Sequence, residues 1–424
     1  MTAPLAALVE RWAARPAPVP PGSLVVPPSA RAYWLAGLAS LAGAPILAIV
    51  AGERDAEDLA DDLELFTDRS FMLPAWETLP FEHVSPNVST MAARLQARHQ
   101  LVSGGPGTIV VASVRAAVQR VSPSSFDPIV LEVGQSVDFD AMIRSLSDSG
   151  YERTDRVEAR GEMAVRGGIV DLYPAQADRP VRIDFWGDDI EEITAFSVAN
   201  QRSEGTMKSV LAYPAREVRP SEALAHAAAE LRDSASWAAS EWERIVEGVS
   251  FPGIESWLPW LAPPRSAIDE AETARVVLFE PSRAASRATD LVTEEAELAA
   301  ALAPTWGPGA PEAGEHPELY LGLEVPEERT IYAPSSAAAP GDEVIALGGI
   351  DAVVGDPESI AIGIGRLVAK GTTVVIAMDG TGPADRVARV LGEAGLALER
   401  RTEIGSGAGI VAVGIHRGFV LPDL

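Results

Sequence analysis

The stretch from Gly161 to Arg202 constrains the fold of this chain more than any other. In the run Val181 to Trp186, Val181, Ile183 and Phe185 fall on one side of an extended backbone, and Arg182, Asp184 and Trp186 on the other. Turn-type residues punctuate the stretch at Arg166-Gly167-Gly168, at Pro174 to Pro180 and at Gly187-Asp188-Asp189, the spacing of an antiparallel meander. One face of such a sheet is core, and the other is exposed and carries a tryptophan. Arg182 and Trp186 lie four residues apart on that face, roughly 13 Å at ~3.3 Å per residue. Arginine and aromatic side chains anchor protein interfaces, so the pair marks a docking surface. The alternative is local: Arg182 paired with Asp184 or a neighbouring acid, and Trp186 lying flat over a small patch.

At 424 residues the chain exceeds one hydrophobic core and implies two to four domains. With 47% hydrophobic and 22% charged residues it is globular rather than disordered. No apolar run approaches the ~20 residues that span a bilayer. The opening MTAPLAALVERWAARP carries Glu10 and has no continuous apolar segment, so it is not a signal peptide and the expected location is the cytoplasm. Cysteine is absent, which removes disulfides and thiolate metal sites. The formal charge is −27, and lysine occurs only at Lys208 and Lys370. Such a surface repels phosphate backbones, so DNA binding would need a local arginine patch.

Toward the N-terminus the pattern is β/α. A short strand at Ser23 to Val26 precedes a helix from Ala30 to Leu41 with Ser29 as its N-cap. A buried strand follows at Ala44 to Ala51, then a helix at Arg54 to Phe66 with Ala56, Leu59, Ala60 and Leu63 on one stripe and its acids on a solvated face. A helix at Val88 to Val102 and a strand at Thr108 to Ala112 complete a largely parallel sheet. Where a phosphate-binding loop would sit the chain reads VPPSARAYW, and no GxxxxGK[ST] occurs anywhere. The aromatic loop Trp76 to Glu82 is expected to pack rather than stack bases, because acids and His83 surround it instead of arginines. Short strands and turns begin near Phe126, with a helix at Phe139 to Gly150. Residues 215–303 are mostly helical, with Trp257, Leu258, Trp260 and Leu261 on a shared packing surface and a strand at Arg275 to Phe279 that returns to the first sheet. Beyond a linker at 304–317 lies a further α/β pattern, with a helix over Pro357 to Lys370, a strand at Thr372 to Ala377 and a helix over Pro383 to Gly395. The five histidines are scattered and form no HxH or HExxH pair. No nucleophile elbow or helicase motif is present, so neither catalytic nor metal-binding residues are assigned.

GEMAVRGGIVDLYP, VRIDFWGDDIEEI and FSVANQRS, with LPAWETLPFEHVSPN at Leu73 to Asn87 and the following RLQARHQL, resemble the amino-terminal module of the transcription-repair coupling factor family, a module shared with the excision-repair protein UvrB. The resemblance implies an α/β fold: a degenerate RecA-like domain (1–127 and 215–303) interrupted by an α+β domain (128–214) that binds UvrA, then the linker (304–317) and a small α/β domain (318–424). It places Arg166, Arg182 and Trp186 where the family's UvrA-contacting Arg, Arg and aromatic residue sit, with Trp186 replacing what is often Phe. The implied function is recruitment of UvrA to stalled RNA polymerase in transcription-coupled nucleotide excision repair. The alternative is a UvrB-like ATP-dependent helicase acting on damaged DNA, against which the missing P-loop weighs. ATP and magnesium belong to the full-length family, an ATP-dependent DNA translocase, and no cofactor is assigned to this chain, which by itself is not expected to be an enzyme. RNA polymerase and DNA would be partners through domains beyond this chain. No membrane partner is expected. The run Gly418 to Leu424 reads as if it should continue, the expectation for a fragment or truncated product.

Overall fold

The computed structural model describes residues 3–6, 9, 22–305, 309–312, 314–336, 344–345, 356–402 and 407–420. Most of the N-terminal stretch, part of the 304–317 linker and the last four residues, on which three of the expectations above fall, lie outside the described residues.

Among the described residues, six parallel strands form one sheet in the order Gly22–Ser23, Thr330–Ala333, Arg275–Phe279, Ile46–Val50, Ile109–Ser113, Ser70–Leu73. Its central strands are continuous apolar runs, as a sheet covered on both faces requires. Alternate residues feed two cores. Leu47, Ile49, Val110, Ala112, Val276 and Leu278 face one side, and Ile46, Ala48, Val50, Val111, Val277 and Phe279 the other. The first side is closed by Trp242, Trp257 and Leu258 from the helical segment and by Trp76 from the aromatic loop. The expected packing role of both stretches holds. The second side is closed by the helices Arg31–Leu41 and Glu53–Leu63. The strand Arg275–Phe279 lies beside Ile46–Val50, so chain from both sides of the intervening segment builds this sheet.

Three details differ from the sequence reading. Ser29 does not cap a helix: Pro28–Ala30 forms a 3-10 turn, and the helix starts at Arg31 without a side-chain cap. Thr330–Ala333, which falls in the 318–424 segment, pairs with Arg275–Phe279 and Gly22–Ser23 in the large sheet. Asp62 is not on a solvated face: it is buried, accepting from the His416 backbone N–H at 2.8 Å and ring Nδ1–H at 2.9 Å, while Asp58 lies 3.3 Å from Nε2. That clamp, with Phe419 against Tyr33 (centroids 5.8 Å), straps the segment after the strand Ala408–Val411 onto the Glu53–Leu63 helix and the core beneath it.

The second sheet is a meander in the order Ser203–Met207, Asp189–Phe196, Val181–Trp186, Ile169–Leu172, Glu162–Arg166, Glu152–Arg153, antiparallel except for its last pair. The helix Phe139–Asp148 covers its inner face, where Met142 and Leu146 join Met163, Val170, Val181, Ile183 and Phe185, and Phe139 meets Phe185 edge-on at 5.1 Å. Edge-to-face aromatic pairs of this kind add ~0.5–1.5 kcal/mol beyond area burial. A buried ionic cluster roots the meander on the first unit. Glu217 accepts from Trp76 Nε1 (2.8 Å), Arg94 Nε (2.8 Å) and Arg98 Nη1 (3.3 Å), and Arg98 also reaches Glu270 (2.6 Å). Burial alone would raise the Glu217 carboxyl, but the two guanidinium groups outweigh it and hold the group below the ordinary carboxylate range. The chain that leaves the meander is therefore pinned to the helix Val88–Ser103.

Candidate protein-docking face

Two tight turns set the register of the meander. Arg166 pairs with Ile169 across Gly167-Gly168, and Trp186 with Asp189 across Gly187-Asp188. Gly167 (φ 61°) and Gly187 (φ 63°) take left-handed backbone at the first central position of each turn, as type II′ hairpins need. A side chain at Gly168 would meet the Phe185 carbonyl oxygen at 2.8 Å, so the Ile169–Leu172 and Val181–Trp186 strands close only over glycine.

This register arranges the outer face in rows. The row nearest the turns holds Arg166, Ile169 and Asp184, with Trp186 beyond them. The next row holds Ala164, Asp171, Arg182 and Thr194. The inner row is largely closed: Ala164 packs with Val157, Phe196 and Tyr173, and Asp171 is 1% exposed. The outer row is open, with Trp186 75% and Ile169 37% exposed. Among the described residues the Trp186 ring has no aromatic or cationic partner.

The structure brings Arg166 and Arg182 together on one carboxylate that sequence reasoning missed. Arg182 donates to Asp171 through both arms of its fork, Nε to Oδ1 at 2.7 Å and Nη2 to Oδ2 at 2.9 Å, and its guanidinium lies 5.1 Å from the Phe196 ring centroid. The hydrogen bond to Asp171 holds Arg182 more firmly protonated than usual. Arg166 sits 3.6 Å from the same carboxylate, donates Nη2–H to the Asp155 carbonyl at 2.8 Å, and remains half exposed. The acid beside Arg182 is thus Asp171 on the adjacent strand, and not Asp184 on its own strand. Parity along Ile169-Val170-Asp171-Leu172 carried the signal, since the one acid in an apolar run shares its face with Ile169. Trp186 stands apart from the ionic group as the face's exposed apolar element.

Among the described residues no group of three or more His, Asp and Glu side chains is placed to hold a metal ion, and no helix is long and apolar enough to cross a membrane.

The outer face is built from strands between residues 162 and 207. A family profile described as the UvrB interaction domain matches residues 129–218. Those residues are similar to the UvrB interaction domain. Over 308 residues it is 37% identical to the Transcription-repair-coupling factor of Mycobacterium tuberculosis, covering 67% of this chain and 24% of that protein. It is 31% identical over 239 residues to the protein of the same name from Escherichia coli, covering 54% of this chain and 21% of the relative. A shorter match, 41% identical over 110 residues, joins it to the UvrABC system protein B of Symbiobacterium thermophilum. The resemblance to the amino-terminal UvrB-like module of the coupling factors therefore holds. The chain spans about a quarter of the length of the mycobacterial coupling factors it matches. Arg166, Asp171, Arg182 and Trp186 all lie within the matched residues 129–218.

Proposed function

We propose that this chain is the UvrA-recruiting module of a transcription-repair coupling factor, and that it binds UvrA through Arg166, Arg182 and Trp186. The observation that carries the reading is an open row in which an exposed tryptophan and a half-exposed arginine sit on a rigid hairpin pair inside a UvrB interaction domain. Exposed aromatic and arginine side chains on a fixed frame are the composition of an interface hot spot. Recruitment to stalled RNA polymerase and action on DNA are proposed for other parts of such a protein, as are ATP and magnesium binding. The site of action would be the cytoplasm.

The parallel sheet is read as a RecA-like domain interrupted by 128–214, built from 1–127 and 215–303 and completed by the Thr330–Ala333 strand, with 318–424 otherwise forming a small α/β unit. Its nucleotide position does not fit a nucleotide. At the carboxyl ends of the strands, where such sheets bind phosphate, the Arg31 guanidinium is buried over Phe279 (4.9 Å) and beside Glu280 (3.2 Å). Glu280 in turn holds Arg283 (3.0 Å), which pairs with Asp55 (2.9 Å). These charges close on one another and include no lysine. This disfavours the alternative of a UvrB-like helicase.

Gel-filtration co-elution of the chain with purified UvrA tests the reading, with UvrB as competitor. Co-elution that UvrB displaces supports it; separate elution at micromolar concentrations contradicts it.

A further inference from the structure

The three expected contact residues are not equivalent. The fork of Arg182 is spent on Asp171, its ring-facing side is covered by Phe196, and only 22% of its side chain reaches solvent. Arg166, by contrast, is 52% exposed and touches the same carboxylate only at 3.6 Å. From this geometry we infer that Asp171 is the positioning residue of the docking face: it neutralises Arg182 within the sheet and sets the direction in which Arg166 is presented to an acidic group on the partner.

Two consequences follow from the charges. With Arg182 in place, its fork takes one lone pair on each Asp171 oxygen, and Arg166 meets Oδ2 only at 3.6 Å while its Nη2 donates to the Asp155 carbonyl, so its guanidinium is oriented but half exposed. Without Arg182, Asp171 is a buried anion lacking its fork, and Arg166, already 3.6 Å away, is the nearest replacement. Arg182 then acts on the partner through Asp171 and Arg166, while Trp186, in the next position along the open row, acts independently.

This inference rests on the UvrA-docking reading, and the experiment separates the two. UvrA affinity is measured for the wild type, Asp171→Asn, Arg166→Gln, Trp186→Ala and the double variants Asp171→Asn/Arg166→Gln and Asp171→Asn/Trp186→Ala. In parallel the 15N-labelled arginine Nε–H signals of the free chain are followed. Expected is a loss of ten-fold or more for Asp171→Asn, measured below its thermal midpoint, which falls because Arg182 loses its anion. That loss should largely vanish in the Arg166→Gln background and persist in full in the Trp186→Ala background. In the free wild-type chain the Arg182 Nε–H should exchange slowly with solvent, and in Asp171→Asn rapidly. Wild-type affinity for Asp171→Asn, or an equal loss in both backgrounds, overturns the positioning role even though UvrA binds. Absence of UvrA binding by the wild type, with a protected Arg182 Nε–H, overturns the docking reading and with it the effect on a partner, leaving the Asp171 pairing as a feature of the free fold alone. Rapid exchange in the wild type overturns the pairing itself.

Discussion

At the scale of single residues, exposure and charge pairing separate the groups that hold the fold from those free to meet a partner. Trp186 projects from the sheet and supports nothing beneath it, so Trp186→Ala is expected to leave the thermal midpoint unchanged while weakening UvrA binding by ~2 kcal/mol or more, roughly 30-fold. Calorimetry for binding and scanning calorimetry for stability check the two halves. Glu217 has the opposite character. It is fully buried between Arg94 and Arg98, and its removal leaves two guanidinium groups without their anion. Glu217→Ala should destabilise the chain by ~3–5 kcal/mol, seen as a lower denaturant midpoint in tryptophan fluorescence. The Glu217 cluster was not readable as a contact in the sequence, and Asp171 was covered there only as an unnamed acid neighbouring Arg182. Glu217 lies 123 residues from Arg94, and no local pattern announces a pairing of that separation. Arg182 and Trp186, in contrast, were assigned to one face by strand parity alone, and the structure places them there.

At the scale of elements, the hairpin between residues 162 and 172 decides whether the face exists. Gly167 has open space around its missing side chain, so Gly167→Ala meets only the left-handed backbone cost, ~1–2 kcal/mol. A Cβ added at Gly168 would lie 2.8 Å from the Phe185 carbonyl oxygen, and that carbonyl cannot move without moving the strand that carries Trp186. Gly168→Ala is therefore expected to cost more stability than Gly167→Ala and, alone of the two, to weaken UvrA binding. Thermal melts and titrations of both variants check the order. The meander with its turn glycines, the apolar run Arg275–Phe279 halted by Pro281, and the periodic helix Thr381–Glu393 were legible. The Thr330–Ala333 strand was not picked out in the sequence, because a four-residue run shows neither a period nor the sheet it joins. The helix start at Arg31 was shifted from the expected cap, since Pro27-Pro28 favours a 3-10 entry that bypasses Ser29.

At the scale of the whole molecule, the strap through His416 joins the C-terminal segment to the first unit by a titratable charge. The hydrogen bond to Asp62, with Asp58 and Asp61 nearby, raises His416 above its ordinary value of 6.5. Burial raises the Asp62 carboxyl above its ordinary value, which the hydrogen bonds and charge of His416 offset only in part. A histidine raised on folding contributes stability that is complete below its unfolded value and is lost as pH rises through the folded one. Amides of Val413 to Phe419 should accordingly open more often at pH 8 than at pH 6 once intrinsic exchange is corrected, and His416→Ala should remove that difference. Hydrogen exchange by mass spectrometry reads both. The central claim concerns the meander, whose open row is proposed to meet UvrA. Calorimetric titration of UvrA into the wild-type chain and into a folded Arg166→Ala, Arg182→Ala, Trp186→Ala triple variant tests it most directly. The account predicts saturable binding by the wild type and none by the variant; equal binding by the two, or none by either, would contradict it.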